Sequence, residues 1–385
     1  MNNVIIFFST LFMNISLPLL AQENVPISIE WKIAGNIEGS PSVEKLGISG
    51  AVSGIYKNML IVAGGNNFPD AMPWNGGKKK HYSDVTIYSK SNEQIISLAT
   101  SFKLPSNISY AATCSTPLGI FYGGGENENG ITNKAYLLKL DASNKKLQIQ
   151  ELPSLPISVT NASAVNVGNT IYVAGGETSS GVSNNFFSIE LDSKKPTWEE
   201  LGSVPKPFSH AVMVAQIANQ NNCIYVIGGR MKQQDGISLF YSSVLVYDIK
   251  SQKWTEKKSL PYALSAGTGI SYKDHYIIMI GGDKGDTFHQ TELLINAIAA
   301  EADPSKKETL VQQKTTLQSI HPGFSRDQLL YNTQTDEWSN LNQFPFTSPV
   351  TTTALNWGNS IVIPGGEIKA GVRNASILLG KIKSK

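Results

Sequence analysis

Cysteine, arginine and long apolar runs are all scarce in this chain, and each scarcity removes a class of function. The two cysteines, Cys114 and Cys223, fall on separate strand-like stretches of the 385-residue sequence. Two buried free thiols are therefore expected, not a disulfide framework or a thiol nucleophile. Three arginines (Arg230, Arg326 and Arg373) stand against 29 lysines, which are dispersed except at Lys78-Lys79-Lys80. With a net charge of +2 the chain offers no basic face for nucleic acid. Charged residues make up 16% and hydrophobic ones 41%, a balance that excludes a disordered polyelectrolyte. The five histidines (His81, His210, His275, His289 and His321) lack metal-ligand spacing, so surface or loop positions are expected of them, and no metal site. The one sustained apolar run, Val4 to Met13, is too short and too early for a membrane span. Followed by "PLLAQE", it reads as an export signal over residues 1–21 with cleavage after Ala21. Leu19 is bulky for its subsite and no lysine or arginine precedes the run, two departures from the usual pattern. A periplasmic or secreted protein with no span in its mature chain is the expectation.

Glycine, by contrast, is abundant and regularly placed. An apolar strand running into Gly-Gly recurs six times, with the first glycine at Gly64, Gly124, Gly175, Gly228, Gly281 and Gly365. The intervals are 60, 51, 53, 53 and 84 residues. A period near fifty with a Gly-Gly-ended strand is the kelch signature, and each such repeat is one four-stranded blade. A third strand such as "VLVYDI" follows, then a fourth marked by Trp198, Trp254 or Trp338. The sixth repeat ends without its tryptophan strand, which is found at the other end of the chain as "ISIEWKIAG" around Trp31. The expected fold is therefore an all-β, six-bladed kelch propeller over residues 22–385, its last blade closed by the N-terminal strand. Closure removes exposed sheet edges.

The fifth interval is 84 residues against 53, an excess of 31. It reads as a helical insertion over about 286–322, with Leu293, Leu294, Ala297 and Ile298 on one face and Pro304 as a break. Surface decoration is one reading. A cap over the propeller mouth is the other, because long functional loops tend to lie beside sites.

The residue after each Gly-Gly is polar: Asn66, Glu126, Glu177, Arg230, Asp283 and Glu367. Loops at this position emerge on one face of a propeller, so the six form a ring of four acids, one base and one amide. Polar residues also simply suit turns. Convergent carboxylates with a guanidinium are nevertheless what acid–base chemistry on an anionic sugar needs. In "GGEIKAGVRNAS" Glu367 precedes Arg373 by six residues. Spacing alone favours a plain turn salt bridge between them.

The stretch from Gly366 to Arg373 resembles the G-E-x-K-x-G-x-R segment of bacterial N-acetylneuraminate epimerases, the kelch mutarotases of sialic-acid uptake. "GGETSSG" at Gly175, "GGRMKQQDGISLFYSSVLVYD" at Gly228 and the insertion before "RDQLLYNTQTDEW" are similar to other parts of that family. The insertion and the Glu–Arg loop lie in the last two repeats here, and mid-chain in the usual members. The chain thus looks like a cyclically permuted branch, which also carries a "GGNNFPDAMPWNGGKK"-like loop. The resemblance implies a mutarotase interconverting the α and β anomers of N-acetylneuraminate. It implies Glu367 as catalytic acid/base and Arg373 as its assistant at the substrate, clamping the sugar carboxylate. Arg230, Glu177 and Asn66 are further candidates for substrate binding. Such a reaction needs proton transfer within hydrogen-bond reach and no metal or organic cofactor. The partner implied is a small sugar acid.

Two other enzyme classes on propellers fit less well. A sialidase needs an arginine triad and repeated S-x-D-x-G-x-x-W turns, which are missing. A copper-radical oxidase needs a Cys–Tyr pair with histidine ligands, for which Cys114 and Cys223 give no match. A non-catalytic carbohydrate- or protein-binding propeller remains the alternative, since fold does not fix function.

Overall fold

A computed structural model describes residues 27–141, 146–218 and 220–384; the expected export signal lies outside them. Six antiparallel sheets follow one another along the chain, five of them continuous in sequence. The first blade holds strands Ser49–Tyr56, Met59–Asn67, Asp84–Ser91 and Gln94–Lys103. The sixth holds Leu355–Trp357, Ser360–Pro364 and Ser376–Ser384, and is completed by Ile27–Asn36 from the other end. That closing strand pairs antiparallel with the last one from Ile27↔Ser384 to Asn36↔Ser376. The chain is a six-bladed β-propeller whose termini share a sheet. First strands of neighbouring blades touch all the way round the axis, the sixth against the first.

Each Gly-Gly sits where a blade's second strand reaches the mouth. All six pairs have positive φ at both positions, 61° to 68° at the first glycine and 85° to 108° at the second. Residues with side chains rarely adopt such angles, and here there is also no room for one: a Cβ would fall 2.5 Å from the Ile108 carbonyl oxygen at Gly64 and 2.7 Å from the Ser109 carbonyl oxygen at Gly125, which accounts for the repeat.

The blades are joined by apolar layers. Leu60, Val62, Tyr88, Trp357 and Val362 are all buried in one cluster between the first and sixth. The fourth-strand tryptophans reach back to the preceding blade. Trp31 donates its indole N–H to Gln328 at 2.7 Å and meets Phe344 edge-on at 4.8 Å. Trp198 bonds the Pro153 carbonyl, Trp338 the Lys258 carbonyl, and Trp254 packs edge-on against Phe186. Cys114, on the second blade's first strand (Ala112–Thr116), and Cys223, on the fourth blade's second strand (Asn221–Ile227), are buried free thiols.

A further device closes the ring at the axis. Gly50, Tyr110, Asn161, His210, Ala266 and Thr351 come one from each blade, and all have φ between 51° and 63°. Each N–H donates to the carbonyl of the equivalent residue in the preceding blade, at 2.7 to 3.3 Å, and Gly50 donates to Thr351 to complete the circle. This collar of six head-to-tail hydrogen bonds separates a small axial channel from a larger cavity at the mouth.

Among the described residues, three α-helices complete the fold. Helix α1 (Pro41–Leu46) leads into the first blade; α2 (Asp286–Ala300) and α3 (Pro304–Ser319) occupy the long fifth interval. None is long and apolar enough to cross a membrane.

Candidate functional site

The six post-glycine residues are set by repeated local pairing. Asn66 pairs with Ser49 in the first blade's sheet. Single bridges join Ser109 to Glu126, Thr160 to Glu177, Ser209 to Arg230, Ser265 to Asp283 and Val350 to Glu367. Each post-glycine residue is thereby fixed beside the collar, and five of the six (Glu126, Glu177, Arg230, Asp283 and Glu367) line one cavity of about 450 Å³. Asn66 does not line it. It is fully buried below, its amide donating to the Ser49 carbonyl and its oxygen accepting from Arg373 Nη2 at 2.8 Å.

Glu367 and Arg373 face each other across a tight hairpin, in direct backbone register. Glu367 Oε1 accepts the Gly371 N–H at 2.7 Å, and Oε2 lies 2.9 Å from Arg373 Nη1. The Arg373 side chain is only 3% exposed. Nη2 is shared between Asn66 and the Tyr110 hydroxyl, and the Phe68 ring covers the guanidinium at 4.8 Å. Nη1 is not aligned for a hydrogen bond despite its closeness to Oε2, and Nε has no acceptor. The guanidinium therefore depends on the Glu367 charge for compensation. The turn salt bridge that the spacing favoured is present, and it places Arg373 behind Glu367, away from the cavity where a clamp on the sugar would have to stand. Gly371 is needed here: its φ is +80°, and a Cβ would fall 2.5 Å from Pro73 of the first blade's long loop.

The insertion covers the mouth. Thr287, Phe288, Thr291, Glu292 and Ile295 of α2, with Gln318, His321 and Phe324, supply one wall of the cavity. Helix α2 is pinned to the fourth blade at two places: Glu292 accepts from both the N–H and the hydroxyl of Ser238 while His289 Nε2 donates to the Ser238 carbonyl, and Asn296 donates to the Asp235 carbonyl at 2.6 Å. Helix α3 reaches the first blade, where Thr315 meets the Trp74 carbonyl at 3.4 Å. The inward face differs from the leucine stripe expected from periodicity. Leu293 is 58% exposed, whereas Phe288 and Glu292, four residues apart, point inward. A helix over a polar cavity needs hydrogen-bonding and aromatic groups on its inner face, so the apolar periodicity misreads its orientation.

Buried charge shapes the rest of the site. Burial pushes the Asp283 carboxyl above its usual range, against the Gly285 N–H and the nearby His321 and Arg230 that pull it down. His321 is pushed down by burial, opposed by Asp283 and Glu367. Its Nδ1 accepts the Gly323 N–H, which leaves the ring proton on Nε2. His210 is held well below its usual range by burial, then by Arg230 and Lys79. Lys79 bonds Glu126 at 2.8 Å over the Tyr110 ring. His210 and His321 thus belong to the cavity and not to the surface. With Tyr110, Lys79, Phe288 and Glu292 they are the site residues that motif reading missed. A signal for the collar members did exist: an apolar residue, then Ser or Thr, then the collar residue, then a small one, as in "ISYA", "VTNA", "FSHA" and "LSAG".

A family model described as N-acetylneuraminate epimerase matches residues 152–385, which include Glu177, Arg230, Glu367 and Arg373. An N-acetylneuraminate epimerase of Haemophilus influenzae (strain 86-028NP) is 25% identical over 237 residues, 61% of this chain and 60% of the relative. Those of Vibrio vulnificus (strain YJ016) and Salmonella typhimurium (strain LT2) are each 24% identical, over 58% of this chain and 58% and 56% of their own lengths. The chain spans about three fifths of the length of these curated relatives. With the family model covering well over half of the residues, and a propeller carrying the Glu–Arg hairpin at a capped mouth, the chain belongs to the N-acetylneuraminate epimerase family.

Proposed function

We propose that this protein is a mutarotase that interconverts the α and β anomers of N-acetylneuraminate, with Glu367 as the proton carrier. The observation that carries the reading is the setting of Glu367: it faces a capped cavity, oriented by the Gly371 N–H on one oxygen and backed by buried Arg373 on the other. A carboxylate so held is preorganised for one proton position. It takes the proton of the anomeric hydroxyl on C2. The freed electron pair forms the C2 carbonyl as the C2–O6 bond breaks, and O6 takes up a proton, which Glu367 can return. Rotation about C2–C3 presents the other carbonyl face, and the same steps in reverse close the ring. The cap limits exchange with bulk water during the open-chain interval. The names of the relatives supply the sugar; the Arg230 guanidinium in the cavity wall suits its carboxylate, and the carboxylates around it suit its hydroxyl groups.

We also propose that residues 1–21 direct export, on the apolar run Val4 to Met13, which fits a sugar acid met outside the cytoplasm. The test of function is NMR exchange spectroscopy on N-acetylneuraminate. Catalytic amounts of protein should accelerate anomer exchange over the spontaneous rate. Saturable binding with no acceleration would instead identify a carbohydrate-binding propeller.

A further inference from the structure

Resting on that reading, a question follows that the Glu–Arg hairpin leaves open: what holds the carboxylate of the acidic sugar. Arg373 is buried behind Glu367, and Arg326 Nε donates to the Phe344 carbonyl away from the cavity. Lys79 is already joined to Glu126 at 2.8 Å. Arg230 is the one arginine that lines the cavity.

Its surroundings have a fixed direction. A carboxylate only accepts, so the Ser209 hydroxyl, 2.8 Å from Glu177 Oε1, must donate to it. Having spent its proton, Ser209 Oγ must accept from His210 Nδ1 at 3.0 Å. The His210 proton is then on Nδ1, and Nε2 is left as an acceptor, 3.4 Å from Arg230 Nη2. The chain runs one way, from Arg230 through His210 and Ser209 to Glu177. A neutral imidazole is required, since an imidazolium has no lone pair for the guanidinium. Burial and the two flanking cations, Arg230 and Lys79, keep it neutral. Among the described residues, His210 is the only hydrogen-bond acceptor for the Arg230 side chain. Glu177 lies 3.9 Å from Nη2, too long for a hydrogen bond, and its oxygens already accept from Ser209 and Asn161. From above, Phe288 of the cap covers the guanidinium face at 4.4 Å.

We propose that Arg230 grips the sugar carboxylate by its free in-plane edge, and that His210 is a positioning residue that holds it there through the Ser209–Glu177 chain. A planar fork stacked on one face and tethered at one nitrogen keeps its remaining N–H groups coplanar, which suits two-point binding of a carboxylate. Specificity for an acid over a neutral sugar then resides in the fourth blade, opposite in role to the Glu367 hairpin of the sixth.

The test is titration calorimetry of the full chain with N-acetylneuraminate and with its C1 methyl ester, alongside NMR exchange rates. Arg230→Gln should weaken binding of the acid about a hundredfold and leave the ester nearly unaffected. His210→Ala should weaken the acid about tenfold, as the loss of one hydrogen bond to a charged group would, raising KM with kcat little changed. Ala266 occupies the equivalent collar position, so the backbone there accepts alanine. Ester affinity at the wild-type value shows that the variants fold. Wild-type affinity of both variants for the acid, or an equal loss for acid and ester, would overturn the proposal. So would loss of acid binding in Lys232→Ala, the exposed cation farther along the same strand and, among the described residues, the other cation of the cavity wall with no hydrogen-bonded carboxylate. Fast anomer exchange that does not depend on Arg230 would remove the anchor and leave the mutarotase reading standing. Acid binding that depends on Arg230 and His210 without accelerated exchange would do the reverse.

Discussion

Glu367 carries two jobs that a single substitution separates. It is the proposed proton carrier, and it compensates the buried Arg373 guanidinium. Glu367→Gln keeps the shape and a hydrogen-bond acceptor for Gly371. Anomer exchange measured by NMR should fall by about two to four decades, the contribution of a positioned acid or base. The same change leaves Arg373 short of its counter-charge, so melting should drop by an amount equivalent to up to about 3 kcal/mol. Wild-type exchange would redirect attention to Glu177 or Glu126 on the same wall. Asp283 behaves differently. Burial raises its carboxyl pKa, so the folded protein holds that proton more tightly than the unfolded chain does. The buried acid costs nothing below the unfolded value of about 3.9, and stability is lost as pH rises through the folded value. Asp283→Asn, which can still accept the Gly285 N–H, should therefore raise Tm at pH 7 and do so much less at pH 4. An equal gain at both would show that charge is not the cause.

At the scale of elements, the blades were readable because their constraint acts on residue type. Positive φ combined with neighbouring atoms no more than 3.0 Å from a would-be Cβ leaves room only for glycine, so the Gly-Gly pairs stand out, as do the bulky fourth-strand tryptophans. The Glu367–Arg373 hairpin was readable for the same reason, through Gly371 and the short spacing. Its polarity was not: which partner faces the cavity depends on Asn66 and Tyr110, hundreds of residues away in sequence. The cap's inner face was also hidden, because Glu292 is buried only by virtue of Ser238 on another blade. Glu292→Ala should loosen the hold of α2 on that blade, leaving only the His289 and Asn296 hydrogen bonds, with KM for the sugar rising about tenfold, the value of a lost hydrogen bond to a charged group. The propeller should melt nearly as before; unchanged KM would make the insertion decoration. The closing strand Ile27–Asn36 is a sharper case. Its removal unpairs a whole blade edge and takes Trp31 from Phe344 and Gln328. Calorimetry should show one transition lowered by on the order of 10 °C or more. An unshifted transition would mean that the ring closes without it.

For the molecule as a whole, closure is doubly secured, by the shared sixth blade at the rim and by the collar at the axis. The collar residues Gly50, Tyr110, Asn161, His210, Ala266 and Thr351 share only a backbone angle, so their trace in the sequence lies in their neighbours, the Ser or Thr that precedes most of them and the small residue that follows. Its members nonetheless touch the site directly: Tyr110 bonds Arg373, and His210 bonds Arg230. A head-to-tail circle has a further property. The six N–H groups and the six carbonyls that make it are spent on one another, blade to blade, and are not available to a bound ligand. Its six amide protons also share a single fate. None can meet solvent as a hydrogen-bond donor until the circle parts, and parting it anywhere requires neighbouring blades to separate. Deuterium exchange at these six amides, drawn from positions 50 to 351, should therefore proceed at closely similar slow rates governed by one opening event. Widely scattered rates would mean that each blade breathes alone.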